Sequence, residues 1–82
     1  MKIMKFYADW CQPCKNLTKV MENINFPYPV EEINIEKNME ASIYFGVTSV
    51  PMLILVDENQ NVLKRIRGLK TESELRKELT LE

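Results

Sequence analysis

Cys11 and Cys14 are the only thiols among 82 residues, and only Gln12 and Pro13 separate them. A thiolate attacks a disulfide sulfur to form a mixed disulfide, and a second thiol within reach displaces the product, so this spacing suits dithiol–disulfide exchange. Pro13 lacks an N–H and has its φ preset, which fits the first turn of a helix. Leu17, Val20, Met21 and Ile24 follow at the spacing of one apolar helix face, predicting a helix from about residue 12 to residue 24. Cys11 then stands at the helix mouth and Cys14 one turn inside. The positive end of the helix dipole and its free amides favour a thiolate there, relative to the ordinary cysteine pKa of about 8.5. Cys11 is the expected nucleophile, and Cys14, turned inward, the expected resolving thiol.

Two other uses of the pair stay open. Tetrahedral zinc takes about four N or S ligands, and with two cysteines and no histidine only a dimer would complete such a site. A structural bridge closing so short a loop contributes only about 2 kcal/mol in the chain-entropy model. Exchange chemistry needs no metal and no organic cofactor.

The elements that must hold the pair are legible from patterning. Residues 2–8 carry apolar side chains on both parities, Ile3 and Tyr7 on one face, Met4 and Phe6 on the other, as a central strand does. Pro27 and Pro29 end the helical stretch in a loop, and residues 30–36 alternate as a half-exposed edge strand. Residues 38–45 predict a short helix with Met39 and Ile43 as its core stripe, ended by Gly46. Residues 52–56 are an unbroken apolar strand, joined by the polar stretch 57–61 to a hairpin partner over 62–67 with Val62 and Ile66 on one face. Thr71 and Glu74 form a capping-box pattern before Leu75 and Leu79, and the lysines and glutamates of that last helix read as a solvated face. The order is β-α-β-α-β-β-α, an α/β fold with a four-stranded mixed sheet flanked by three helices. Strands connected through helices are expected to run parallel, and the hairpin to add an antiparallel one.

Composition bounds the partners. Forty-five per cent hydrophobic residues are enough for one domain over 1–82. Eleven basic residues against twelve acidic, with net charge −1, exclude the basic footprint of a nucleic-acid binder. The apolar run from Val50 to Val56 is far shorter than the ~20 residues that span a bilayer, and Met1 to Tyr7 carries no targeting signal. A cytoplasmic monomer without membrane partners is expected.

Tyr7-Ala8-Asp9-Trp10-Cys11-Gln12-Pro13-Cys14-Lys15 resembles the active-site stretch of thioredoxins, with Gln12 where most have glycine. Ile33-Asn34-Ile35-Glu36, Val50-Pro51 and Gly68 match further family features, and the likeness covers nearly the whole chain. The strand and helix that open full-size thioredoxins are absent, leaving a minimal thioredoxin fold of glutaredoxin size. The resemblance implies a protein-disulfide reductase recharged by a flavoprotein thioredoxin reductase. A glutathione-dependent, glutaredoxin-like enzyme is the alternative, although Gln12-Pro13 is closer to the thioredoxin Gly-Pro than to the glutaredoxin Pro-Tyr. A non-catalytic docking module on the same fold is the other alternative. The resemblance further implies a cis peptide bond before Pro51 and a substrate groove bordered by Trp10, Gln12, Pro13, Thr48, Ser49, Val50 and Gly68. Trp10 as a core aromatic and Pro51 as an ordinary trans proline are the plainer readings.

Two charged positions depart from the family. Thioredoxins usually carry a buried aspartate six residues before the first cysteine, assigned to proton transfer with the resolving thiol; Lys5 stands there, and Glu32 stands where the family has a lysine. Alternation puts Lys5 on the face of Ile3 and Tyr7, within reach of Glu32 on the neighbouring strand. The two form either a charge-inverted electrostatic and proton-transfer pair or a solvated surface pair.

Overall fold

The computed structural model describes residues 1–79, so the last three positions of the expected domain over 1–82 lie outside it. The elements are β1 (Lys2–Tyr7), α1 (Gln12–Met21), β2 (Val30–Asn34), α2 (Met39–Tyr44), β3 (Met52–Val56), β4 (Val62–Arg67) and α3 (Glu72–Glu78). They build one mixed sheet in the order β2-β1-β3-β4, with β1 and β3 inside.

β1 is parallel to β2, but β3 is antiparallel to β1, not parallel as a helix-linked strand is expected to be. The connection over residues 35–51 stays at one end of the sheet: β2 closes at Asn34 opposite Tyr7, and Met52 begins β3 opposite Phe6, at the same end of β1 that leads to the cysteines, so the chain re-enters the sheet from the end at which it left.

Two apolar layers cover the sheet. On one side Ile3, Leu53 and Ile66 pack under Leu17 and Met21 of α1 and under Leu75 and Leu79. On the other, Met4, Phe6, Ile33, Met52, Ile54 and Val56 meet Phe45 just beyond α2, with the Phe6 and Phe45 rings 6.1 Å apart at a 58° tilt. Both parities of β1 and β3 are thus buried, as their sequences require.

Three local expectations are corrected. α1 ends at Met21 rather than Ile24, because Asn23 and Ile24 donate three residues back, to the carbonyls of Val20 and Met21, as the chain tightens towards Pro27. Ile24 stays buried all the same. The Met39 and Ile43 stripe of α2 does not face the core: Ile43 is 76% exposed, Met39 and Tyr44 are nearly as open, and Ala41, Ser42 and Phe45 face inward. Val62 and Ile66 are on opposite sides, since a bulge between Leu55 and Val56 shifts the register and pairs Val62 with Val56.

The caps form as patterned. The Thr71 hydroxyl accepts from the Glu74 N–H while the Glu74 carboxylate accepts from the Thr71 N–H. Gly46, at φ 67°, closes α2 as Val47 N–H reaches the Ser42 carbonyl and Gly46 N–H that of Ile43.

Candidate active site

Cys11 is the N-cap of α1, and its sulfur accepts the backbone N–H of Cys14 at 3.2 Å. The two cysteines form a disulfide with their Cα atoms 5.3 Å apart. Ala8 accepts the Cys11 N–H at 3.1 Å, which folds the Asp9-Trp10 turn beneath the helix mouth. That turn is tied to β2, since the Asn34 side-chain amide donates to Asp9 at 3.3 Å while its oxygen takes the Glu36 N–H. In this oxidised form Cys11 and Cys14 are 3% and 2% exposed, so accessibility does not separate the two sulfurs. Their walls are Ala8, Tyr7, Ile35 and Val50.

The expected groove residues gather at this end of the sheet in part. Val50 packs against the cysteines, and the bond from Val50 to Pro51 is cis. Gly68 donates its N–H to the Pro51 carbonyl at 3.0 Å, which brings the end of β4 beside the Pro51 loop. Its φ of 84° suits glycine, and the space where a Cβ would stand is open. Trp10 is 67% exposed rather than part of the core. Gln12, Pro13, Thr48 and Ser49 are exposed too, with the Gln12 amide donating to Asn16.

Behind the disulfide lies a charged arrangement. Lys5 pairs in register with Glu32, and its ammonium, on a side chain only 3% exposed, donates to Glu32 Oε1 at 3.2 Å. The same ammonium donates to the Thr18 hydroxyl, and Thr18 in turn donates to the Cys14 carbonyl at 3.1 Å. The Tyr7 ring centroid is 6.0 Å from the ammonium. A cleft of about 200 Å³ connects these groups, with Lys5, Tyr7, Asp9, Cys14, Thr18 and Glu32 in its lining. Glu32 is 59% exposed on its side chain, so the pair is buried at one end and wet at the other.

A sequence model of the thioredoxin family matches residues 1–81. The chain belongs to the thioredoxin family. It is 37% identical to a thioredoxin of Chlamydia pneumoniae, over 83% of this chain and 69% of that one. It is also 37% identical to a thioredoxin of Mycobacterium bovis, over 95% and 70%. Among solved structures, a mutant thioredoxin from Halobacterium salinarum superposes with a TM-score of 0.83 at 31% identity, over 93% of this chain and 68% of that one. Thioredoxin 1 from the thermophilic eubacterium Thermosipho africanus gives 0.78 at 26% identity, over 99% and 92%.

With the Cys11–Cys14 disulfide in place, this member of the family is a protein-disulfide oxidoreductase. Its redox pair sits where β1 runs out into a helix start, and its lysine and glutamate meet beneath that helix. Sequence reasoning missed Thr18. The signal was present, because Thr18 is a polar residue four positions after Cys14, in the stripe that otherwise turns Leu17 and Met21 inward.

Proposed function

We propose that the dithiol form reduces disulfides in proteins, with Cys11 as nucleophile and Cys14 as resolving thiol. The Cys11 thiolate attacks one sulfur of the target disulfide, that bond breaks, and the first target thiolate leaves. The Cys14 thiolate then attacks the Cys11 sulfur and the second target thiolate leaves. Two electrons pass to the target, its two thiolates take up the two protons that the dithiol gave up, and the internal disulfide closes. The observation that carries this reading is the Cys14 N–H on the Cys11 sulfur at the helix N-terminus, where backbone donors and the helix dipole favour negative charge.

An extended target segment lies in the groove of Trp10, Gln12, Pro13, Thr48, Ser49, Val50, Pro51 and Gly68. Glu32, wet and lining the cleft that reaches Cys14, exchanges protons with the resolving thiol, while the Lys5 ammonium stabilises its thiolate. The chain works as one domain over 1–82, as a cytoplasmic monomer, with no metal or organic cofactor and with a flavoprotein thioredoxin reductase as electron donor.

Insulin reduction driven by dithiothreitol tests the activity, and turnover no better than the dithiothreitol background would mean a docking module instead. NADPH consumption with thioredoxin reductase, compared with glutathione and its reductase, tests the donor. Oxidation of NADPH only in the glutathione arm would replace the donor assignment.

A further inference from the structure

Thr18 bridges the buried charge and the resolving half of the redox pair. An ammonium has three donors and no acceptor, so in its contact with Lys5 the Thr18 oxygen accepts. The hydroxyl hydrogen is then directed to the Cys14 carbonyl, 3.1 Å away. The direction of the chain is fixed: Lys5 ammonium to Thr18 hydroxyl to Cys14 carbonyl. A threonine that bonds the carbonyl four residues back is a common local feature of helices and by itself assigns nothing. Here the same oxygen also takes a charged donor from β1, beneath the helix, on a lysine that is 3% exposed.

The charges around this point come from every neighbouring element. Glu32 projects from β2, Tyr7 stands on β1, Asp9 lies in the turn before α1, and Lys15 on α1 and Glu22 at its C-cap flank Thr18. Asp9, Lys15, Glu22 and Glu32 are exposed and screened by solvent, whereas Lys5 is buried. Lys5 is therefore the one buried charge among these groups, in a cleft that Cys14 also lines. Two acceptors share the Lys5 ammonium: Thr18 on the helix side and Glu32 on the side open to water.

We infer that Thr18 is a positioning residue for the resolving thiol, holding the Lys5 ammonium beneath Cys14 so that the Cys14 thiolate is available when the mixed disulfide forms. The inference rests on the proposed role of Cys14. Without the hydroxyl the ammonium follows Glu32 outward, and less of Cys14 is thiolate at neutral pH.

The experiment follows release of the second thiol from a chromogenic aromatic disulfide by stopped flow, from acid to alkaline pH. Thr18→Val removes the hydroxyl at similar volume and is expected to slow release about three- to tenfold at neutral pH, the fold-change of a thiol pKa raised by up to one unit. The deficit closes at alkaline pH, where Cys14 is ionised in both proteins, and Thr18→Ser restores the original profile. In a Lys5→Met background Thr18→Val adds nothing further. Thr18→Ala, with the best helix former, serves the same purpose if valine disturbs α1. A profile unchanged in both Thr18→Val and Thr18→Ala, a deficit that persists at alkaline pH, or full additivity with Lys5→Met overturns the inference. Failure of the underlying reading looks different: the unsubstituted protein and Cys14→Ser would release the second thiol equally fast.

Discussion

Lys5 and Glu32 can be told apart by what each leaves behind when removed. At an effective dielectric of about 20, unit charges at their 3.2 Å separation attract by about 5 kcal/mol. Desolvating the lysine costs several kcal/mol, so the net contribution of the pair is near zero. Lys5→Met removes the attraction and the desolvation cost together, and the remaining carboxylate is already mostly wet. Its stability is expected to stay within about 1 kcal/mol of the original protein. Glu32→Gln removes only the counter-charge and leaves a buried ammonium on Thr18 and a neutral amide. Breaking a fully buried pair costs about 3–5 kcal/mol, and water at the exposed end of this one reduces the loss to about 2 kcal/mol. Urea unfolding of both variants at neutral pH, compared at equal m-value, reads the difference. A Lys5→Met protein less stable than Glu32→Gln would refute the reasoning, since the pair would then be a net source of stability.

Cys14→Ser is expected to accumulate mixed disulfides through Cys11, seen as an intact-mass adduct; adducts only in Cys11→Ser would reverse the roles. Leu17→Ala, at a fully buried site, should cost about 2–5 kcal/mol, and Ile43→Ala less than about 0.5 kcal/mol; equal urea midpoints would contradict the orientation of α2. Asp57 and Glu74 are held below the usual carboxylate range, chiefly by the backbone N–H groups of Asn61 and Thr71 respectively. A depressed carboxylate contributes stability above its unfolded pKa, so urea midpoints should fall as pH drops below about 4, where the folded carboxylates take up protons. Asp57→Ala should flatten that acid limb, and parallel curves would reject the assignment.

Much of this architecture is legible in single residues. The parity of Ile3, Met4, Lys5, Phe6 and Tyr7 separates the two faces of β1, because a central strand must bury both. It also foretells that Lys5 shares the α1 side and can meet Glu32. Gly46 and the Thr71–Glu74 pair mark helix ends through backbone groups that need partners whatever the tertiary context. The failures are tertiary. Nothing in Met39-Glu40-Ala41-Ser42-Ile43-Tyr44 says that its small residues, and not its large ones, turn inward. The bulge that turns Val62 away from Ile66 leaves no mark in composition. Thr18 is ordinary until Lys5 is placed beneath it.

The unequal cover of the sheet bears on how the protein moves. α1 and α3 bring Leu17, Met21 and Leu75 into their layer, whereas α2 contributes Ser42 as its buried residue and is six residues long. Opening α2 exposes less apolar surface than opening either other helix, and such segments have the lowest free energies of local unfolding. Its amides should lose hydrogen-exchange protection earliest, and those of β1 and β3, paired on both sides, last. The two walls of the redox site therefore differ in compliance. Cys11 and Cys14 ride on the long helix, and Thr48, Ser49 and Val50 hang from the short one. Thr48, Ser49 and Val50 are therefore expected to lose amide protection sooner than the helix start that holds the sulfurs.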